Sequence, residues 1–263
     1  MQPITEAVYL VESRPSEKGR SALVHIKDGI SQDILPSNFS IASKVHEYGG
    51  GAGTMCRDGS FIFTDAVTRG VYRMNSSFDI QPVLEGNGNL RYADFDVHPT
   101  DPRWILAVQE DHTNDTAETI VNTIVAIDSV TRRVKVVCAG ADFYSHPKFN
   151  CHDPDLSKYD GKWISWIQWS HPDMPWTGSK LYVAEWSNGS LGEPQHVAGK
   201  EGTEAVTQPK WHSYGGLMFT SDRTGYHQLY LWDPISLETR QISVPGFEDA
   251  SFSVVKENLG RSV

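Results

Sequence analysis

The chain lacks the features that mark membrane, exported and nucleic-acid-binding proteins. No apolar run approaches the roughly 20 residues that a membrane-spanning helix needs, and the N-terminal segment lacks the basic start and long apolar core of a signal peptide. Acidic residues number 33 against 23 lysines and arginines, for a formal net charge of −10, whereas nucleic-acid-binding surfaces are basic. We therefore expect a cytoplasmic protein without a membrane or nucleic-acid partner.

Cysteine is scarce as well. The three cysteines, Cys56, Cys138 and Cys151, cannot all form disulfides with one another, and their spacing is not that of a metal site. Reduced structural thiols are the expected state of such residues in a cytoplasmic protein. The cysteines therefore predict neither a disulfide framework nor a cofactor.

Helical periodicity is absent, and short strand patterns take its place. An extended segment, Thr207–Trp211, leads through a turn into the apolar run Leu217–Thr220, and a charged loop then precedes the alternating run Gln228–Asp233. No helical period follows any of these runs. Short strands joined by turn residues in this way predict an antiparallel meander.

The same unit recurs five times along the chain. Each unit has an apolar strand, a loop and a second strand, and the second strands begin roughly 50 residues apart, near Ser21, Val71, Thr123, Lys180 and Gln228. A period of this length with several strands per unit is typical of a β-propeller. A β-sandwich is the alternative, but its strands need not recur in a fixed order.

We therefore predict an all-β fold: a partial, open β-propeller of about five four-stranded antiparallel blades over residues 1–245. Residues 246–263 form a divergent tail that begins a further blade. The first unit lacks its inner strand, and an open arc leaves one blade face uncovered at each end, which favours self-association. The apolar residues expected on these faces are Tyr9 and Leu23 at one end, and Phe219, Leu229 and Leu231 at the other.

Meander topology also assigns the loops to two faces. Short polar turns gather on one face, and the longer, more varied loops gather on the other. Binding residues lie more often on such loops. Four residues are expected on the face with the longer loops: Glu47, Glu110, Asp111 and Trp176.

Seven motifs in order resemble one protein family. They are EYGGG (47–51), RYADFDVHP (91–99), EDH (110–112), GADFYSHP (140–147), Trp166 with HPDMPW (171–176), QPKW (208–211) and SDRTGYHQLY (221–230). The set, spread over roughly residues 7 to 245, is similar to the N-terminal propeller of the prolyl oligopeptidase family of serine peptidases, on its acylaminoacyl-peptidase and dipeptidyl-peptidase-like branch.

The resemblance implies a second, catalytic domain. In that family the propeller precedes an α/β-hydrolase domain whose nucleophilic serine lies on a G-x-S-x-G turn. This chain contains no such pentapeptide, so we expect no catalytic residue in it and no activity by the chain alone. The expected partners are the missing hydrolase domain or a second copy, and a peptide substrate in the full-length form.

Four charged residues are the candidates for substrate binding: Glu47, Arg91, Glu110 and Asp111. A carboxylate beside the cavity could bind the free amino terminus of a peptide through a charge-assisted hydrogen bond. The alternative is structural: Glu47 and Asp111 would then tie loops to backbone amides or to Arg91. The glycines after Tyr48 are expected to permit positive φ and close packing rather than to hold a phosphate.

A further set of residues is expected to contact the hydrolase domain, namely His171, Met174 and Trp176. Two prolines fix their loop, and apolar side chains there are unfavourable in water unless something covers them. The other tryptophans of this region are expected to pack between blades. His146, Cys151, His152 and Asp153 could suggest a metal site, but related sequences carry an ordinary strand and turn there, so no metal is expected.

Three functions remain open from sequence. The first is the non-catalytic propeller portion of a serine peptidase, which gates substrate access and docks the hydrolase domain. The second is a stand-alone propeller that acts as a binding module. The third is a propeller hydrolase with its chemistry in the central channel.

Overall fold

The computed structural model describes residues 8–116, 118–151, 161–212 and 215–243. Within these residues it contains twenty β-strands, one 3-10 turn at Pro15–Glu17 and no α-helix. All strand pairs are antiparallel, and they form five sheets of three to five strands. The prediction of an all-β, open propeller-like fold with about five blades is confirmed.

The sheets follow one another along the chain. The first contains β1 (Val8–Arg14), β2 (Arg20–Lys27) and β3 (Ile30–Asp33). The second contains β4 (Gly53–Met55), β5 (Phe61–Thr64), β6 (Val71–Met74) and β7 (Ile80–Leu84). The third contains β8 (Leu90–Val97), β9 (Trp104–Asp111), β10 (Val121–Asp128) and β11 (Arg133–Cys138).

The fourth sheet contains β12 (Phe143–Phe149), β13 (Trp163–Trp169), β14 (Lys180–Ser187), β15 (Ser190–Leu191) and β16 (Gln195–Ala198). The fifth contains β17 (Val206–Trp211), β18 (Leu217–Ser221), β19 (Gln228–Trp232) and β20 (Thr239–Gln241). The first sheet has three strands rather than four, as the sequence predicts for a unit without its inner strand. Residues 246–263, the predicted tail, lie outside the described residues.

The first strands of the second to fifth sheets lie at the centre of the arc. Strand β4 contacts β8, β8 contacts β12, and β12 contacts β17. The loops fall on two edges because successive strands run in opposite directions. We call one edge the upper rim; it comprises residues 42–52, 65–70, 85–89, 112–116, 118–120, 139–142, 170–179, 199–205 and 222–227 together with the adjoining strand ends.

Four hydrophobic clusters fill the junctions between successive sheets. Alternate residues of one strand serve different junctions: Ile105 and Ala107 face the second sheet, whereas Leu106 and Val108 face the fourth. All four side chains are fully buried, and burying a leucine or valine contributes about 1.5–3 kcal/mol. Strands covered on both faces read as continuous apolar runs, which explains the segment Trp104–Val108.

The two ends of the arc differ in detail from the expectation. Among the described residues no cluster joins the fifth sheet to the first, as an open arc requires. Phe219 is fully buried against the fourth sheet, and Leu23 against the second, where Tyr9 packs on the same cluster, so none of the three lies on an uncovered face. Those three assignments were wrong because each strand has apolar residues on both faces, and the alternation alone does not say which face is covered.

The inner strands share an irregularity. Strands β8, β12 and β17 each contain a register shift, and the residue within it has a left-handed backbone: Asp94 (φ 56°), His146 (φ 53°) and Gln208 (φ 54°). Asp94 also links three inner segments, since its two oxygens accept hydrogen bonds from the backbone N–H groups of Gly51 (2.7 Å) and His146 (3.1 Å). Burial opposes ionisation of Asp94, but the charge of His146 and these N–H groups lower its pKa overall.

In the part of the chain that the structure describes, no helix is long and apolar enough to span a membrane.

Candidate functional site

The loop before β4 has a strained backbone. His46 and Glu47 both adopt left-handed conformations (φ 54° and 63°), which non-glycine residues rarely do. The turn is closed by hydrogen bonds from Glu47 N to the Lys44 carbonyl (3.0 Å) and from Gly49 N to the Val45 carbonyl (2.9 Å). The conformation fixes Glu47 at the upper rim.

The glycines that follow serve packing. At Gly49 (φ 85°) a Cβ atom would lie 2.8 Å from the Ser43 carbonyl oxygen, and at Gly50 it would lie 2.9 Å from the Cβ atom of Ala93. Only glycine allows the loop to approach the third sheet this closely. This geometry supports the expected packing role of the three glycines.

Arg91, at the start of β8, is the centre of the charged cluster. Its Nη1 atom donates hydrogen bonds to Glu47 Oε1 (2.6 Å) and to the Lys44 carbonyl (2.9 Å), and lies 3.8 Å from Glu110 Oε2. The guanidinium lowers the pKa of Glu47 through this hydrogen bond and its charge. Glu47 thus makes the contact with Arg91 that the structural alternative expects.

Glu110 is buried beneath this contact. Its side chain is 3 % exposed, its Oε1 atom accepts the backbone N–H of His46 at 2.6 Å, and its Oε2 atom lies 3.1 Å from His112 Nε2. The other ring nitrogen of His112 lies 2.7 Å from Asp115 Oδ1. The hydrogen bond with His112 lowers the pKa of Asp115. Glu110 therefore positions its neighbours and is not open to a substrate.

Asp111 is separate from this cluster. Its Oδ1 atom accepts hydrogen bonds from the backbone N–H (2.8 Å) and the hydroxyl (2.6 Å) of Thr113. Successive strand residues point to opposite faces of the sheet, so Asp111 points away from the side of Glu110. The charge of Asp111 acts instead on Tyr92: burial and this carboxylate together raise the pKa of Tyr92 to about 12. The structure thus brings Glu47, Arg91 and Glu110 together but not Asp111.

Aromatic rings extend the cluster towards the fourth sheet. The ring of His46 lies 5.5 Å from both Phe143 and Trp169, and Phe143 in turn lies 5.0 Å from His171. Burial lowers the pKa of His46 despite the nearby carboxylates of Glu110 and Asp94. Neutral imidazole and the aromatic rings make the rim partly apolar beside the charged groups.

The predicted docking residues occupy the loop between β13 and β14. Trp176 is 63 % exposed and Met174 is 40 % exposed, so this loop presents large apolar side chains to solvent. The structure places Trp176 on the upper rim with Glu47, Glu110 and Asp111, the four residues predicted to share one face, and ring contacts of the described residues connect His171 to the cluster. Trp166, Trp169 and Trp186 are buried in the junctions on either side of the fourth sheet, as expected.

Among the described residues no three or more histidine, cysteine, aspartate or glutamate side chains are grouped to hold a metal ion. His152 and Asp153, two of the residues considered from sequence, lie outside the described residues.

Sequence reasoning missed His112 and Asp115 as members of the site. His112 follows Glu110 by two positions, the spacing that puts side chains on one face of a strand, so the alternation contained a signal for it. Asp115 lies in a loop, where no periodicity predicts contacts.

Comparisons with known proteins concern the chain as a whole. No family model matches the chain, and no curated protein matches it. Among solved structures it is similar to a puromycin-hydrolyzing peptidase of Mycobacterium tuberculosis, with a TM-score of 0.75 and 26% identity over 92% of this chain and 38% of that one. A puromycin hydrolase gives a TM-score of 0.73 and 25% identity over 91% of this chain and 38% of that one.

A more distant likeness concerns the acylaminoacyl peptidase of Pyrococcus horikoshii. Its TM-score is 0.50 at 17% identity over 90% of this chain and 44% of that one, which supports the fold alone. The chain therefore spans about two-fifths of the length of the peptidases that it matches. The resemblance to the propeller portion of prolyl oligopeptidase-family peptidases, which the sequence motifs predict, is confirmed by the two puromycin-hydrolysing enzymes.

Proposed function

We propose that this chain is the non-catalytic propeller portion of a serine peptidase, whose upper rim faces an α/β-hydrolase domain and contacts peptide substrates. The observation that carries the proposal is the similarity to a puromycin-hydrolyzing peptidase, which covers 92% of this chain but only 38% of that one. The rim offers both kinds of contact that the role needs: a charged group for a peptide and exposed apolar residues for a domain.

The proposal includes inactivity of the chain alone. No G-x-S-x-G pentapeptide occurs in the sequence, so no serine is activated in the manner of an α/β-hydrolase. A fluorophosphonate probe should therefore label no serine of the purified chain. Stoichiometric labelling of one serine would contradict this part of the proposal.

Glu47 is the residue proposed to bind the amino terminus of a peptide. Its side chain is 71 % exposed, and only its Oε1 atom takes part in the hydrogen bond with Arg91 among the described contacts. The ionised carboxylate can accept a further charge-assisted hydrogen bond from an ammonium group. Glu110 is too deeply buried for this role and holds the cluster in place.

His171, Met174 and Trp176 are proposed to pack against the hydrolase domain. Tyr48, 74 % exposed, lies beside His46 on the same rim. Large exposed apolar side chains gathered on one surface mark an interaction site. Covering them with a partner domain would remove them from water and close the rim over a bound peptide.

Binding of two small peptides tests the role of Glu47. Alanyl-alanine amide carries a free ammonium group, and its N-acetylated form does not. We expect only the first to shift the backbone amide signals of residues 44–51 in NMR titrations, and Glu47→Gln to weaken that binding about tenfold because the charge-assisted hydrogen bond is lost.

Glu85→Gln is the matched control, since Glu85 is also an exposed rim glutamate near an arginine. Thermal unfolding should change little in either variant, because exposed ion pairs contribute about 1 kcal/mol or less. Equal binding of the acetylated and free-amine peptides would refute the role of Glu47.

A further inference from the structure

A small cavity lies in the upper rim on the side of Arg91 away from the aromatic rings. Its volume is about 90 Å³, which is far below the several hundred Å³ of a drug-sized ligand site. The cavity is lined by the loop before β4, by the loop between β5 and β6, and by Arg91 of β8. It therefore has room for a single small group rather than for a whole ligand.

The lining of this cavity is rich in cations. Lys44, Arg69 and Arg91 all contribute to it. The Nε atom of Arg91 is buried and has no hydrogen-bond partner among the described residues, while its Nη1 atom is used by Glu47. A buried donor without an acceptor is costly, so an acceptor at this position would be bound favourably.

Arg69 is the second arginine of the cavity wall. Its φ is 60°, in the left-handed region where glycine is the favoured residue. Arg69 lies in the turn between β5 and β6, where its backbone N–H donates to the Asp65 carbonyl (2.8 Å), and its Nη1 atom donates a hydrogen bond to the Gly88 carbonyl. A guanidinium has five N–H donors, so this bond leaves others for an acceptor in the cavity.

The single carboxylate of the lining does not oppose an anion strongly. Asp65 is fully buried, and its oxygens already accept hydrogen bonds from Ser40 N (2.9 Å), Thr68 N (2.8 Å) and Thr68 Oγ1 (2.9 Å). These donors compensate its charge locally. The cations favour the ionised form of a nearby carboxylate, Asp115. Its pKa is lowered mainly by the hydrogen bond with His112, and the charges of Arg91 and Arg69 lower it further.

We propose that this cavity binds one carboxylate group of a peptide, held by Arg69 and Arg91 with Lys44 on its exposed side. The proposal rests on the proposed peptide-binding role of the rim and adds to it a substrate class, namely peptides with a free C-terminal or side-chain carboxylate. Planar guanidinium groups bind carboxylates through paired hydrogen bonds. The cavity lies beside Glu47, so the two ends of a short peptide would meet opposite charges on one rim.

The test uses three probes with the purified chain: N-acetyl-alanyl-alanine with a free carboxylate, the same peptide as its amide, and inorganic phosphate. Binding is measured by NMR titration, which also follows the Nε–H signal of Arg91. Both peptides lack a free amino group, so failure of the Glu47 proposal would leave this test intact. We expect the free carboxylate to bind and to shift the Arg91 signal, and the amide to do neither.

The key variant is Arg69→Gly, because glycine suits the left-handed backbone; the change removes the guanidinium together with its hydrogen bond to the Gly88 carbonyl. Lys18→Gly is a matched control: Lys18 is also a left-handed cation (φ 61°), but it lies in the turn between β1 and β2. We expect Arg69→Gly to weaken carboxylate binding about tenfold and Lys18→Gly to leave it unchanged. Thermal unfolding of both variants establishes that they are folded.

Several results would overturn the proposal. They are equal binding of the free carboxylate and the amide, absence of carboxylate binding, and equal affinities in Arg69→Gly and the unmodified chain. Binding of phosphate that the carboxylate peptide cannot displace would make the cavity a phosphate site and would also contradict the assignment.

Discussion

The junction between the third and fourth sheets and the upper rim above it use the same strands but are stabilised in different ways. In β9, Leu106 and Val108 point into the junction, and Glu110, two residues further on the same face, reaches the rim. All three are buried. In the junction, the apolar side chains need only to pack well against their neighbours. At the rim, the buried carboxylate of Glu110 also needs polar partners, which are the backbone N–H of His46, the ring of His112 and the nearby charge of Arg91.

The difference shows where this fold can carry function. An apolar junction tolerates few partners other than the neighbouring sheet, because its side chains are packed on all sides. The rim depends on a chain of polar contacts in which each group has a specific partner. Such a network holds charges in fixed positions, and an incoming ligand can use those that remain accessible, such as Glu47 and Arg69.

The largest effect is expected from breaking the junction. Leu106→Ala should lower the free energy of unfolding by about 2–5 kcal/mol, since it removes buried methyl groups and leaves a cavity between two sheets. Chemical denaturation measures this change. Val67→Ala, at a position that is 72 % exposed on the rim, is the control and should change stability by less than about 0.5 kcal/mol; similar losses in both variants would mean that the junction is not packed as described.

A smaller effect is expected from breaking the network on the rim. Glu110→Gln keeps the size of the side chain but removes its charge, and it leaves His46 N–H, His112 and Arg91 with a weaker acceptor. We expect a loss of about 1–3 kcal/mol, below that of Leu106→Ala. Glu85→Gln, at an exposed glutamate, should have almost no effect, and an unchanged stability of Glu110→Gln would contradict the network.

The smallest effect is expected from removing the buried charge of Asp94 on the inner strand β8. The folded-state pKa of Asp94 is lowered, so its contribution is present above the unfolded pKa of about 3.9 and is lost as the pH falls through the lower folded value. Asp94→Asn should therefore cost about 1 kcal/mol at neutral pH and less in acid. Asp28→Asn is the control because Asp28 is exposed and has the same left-handed backbone (φ 52°); a loss in Asp94→Asn that does not depend on pH would exclude the charge as its cause.

The strands and their order could be predicted because periodicity is a local property. The apolar run Trp104–Val108 and the turn residues around it give the strand without knowledge of its neighbours. The position of Phe219 could not be predicted in this way: Leu217 and Phe219 face the fourth sheet while Met218 and Thr220 point away, and both sets are compatible with burial. Which face is covered depends on the next sheet and not on the strand.

The site was predictable only where motif and topology agreed. Glu47, Arg91 and Glu110 were named from sequence and do come together, because the strand order brings the loop before β4 over the start of β8 and the end of β9. Asp111 was named with them, but its side chain points to the opposite face of the third sheet from that of Glu110, as the period of two in a strand requires. Arg69 could not be found, since its place at the cavity depends on a loop backbone that no sequence pattern specifies.

The four clusters join the five sheets in a row, so the stability of each sheet depends mainly on the sheets next to it. The main contacts between strands of different sheets join neighbouring sheets, so the resistance of a sheet to opening depends on how many junctions it shares, as in a chain of coupled repeats. The third sheet shares two junctions, whereas the first and the fifth share one each. Local opening should therefore start at the ends and move inward, which places Arg91 and Glu110, both in the third sheet, on the part of the arc that opens last.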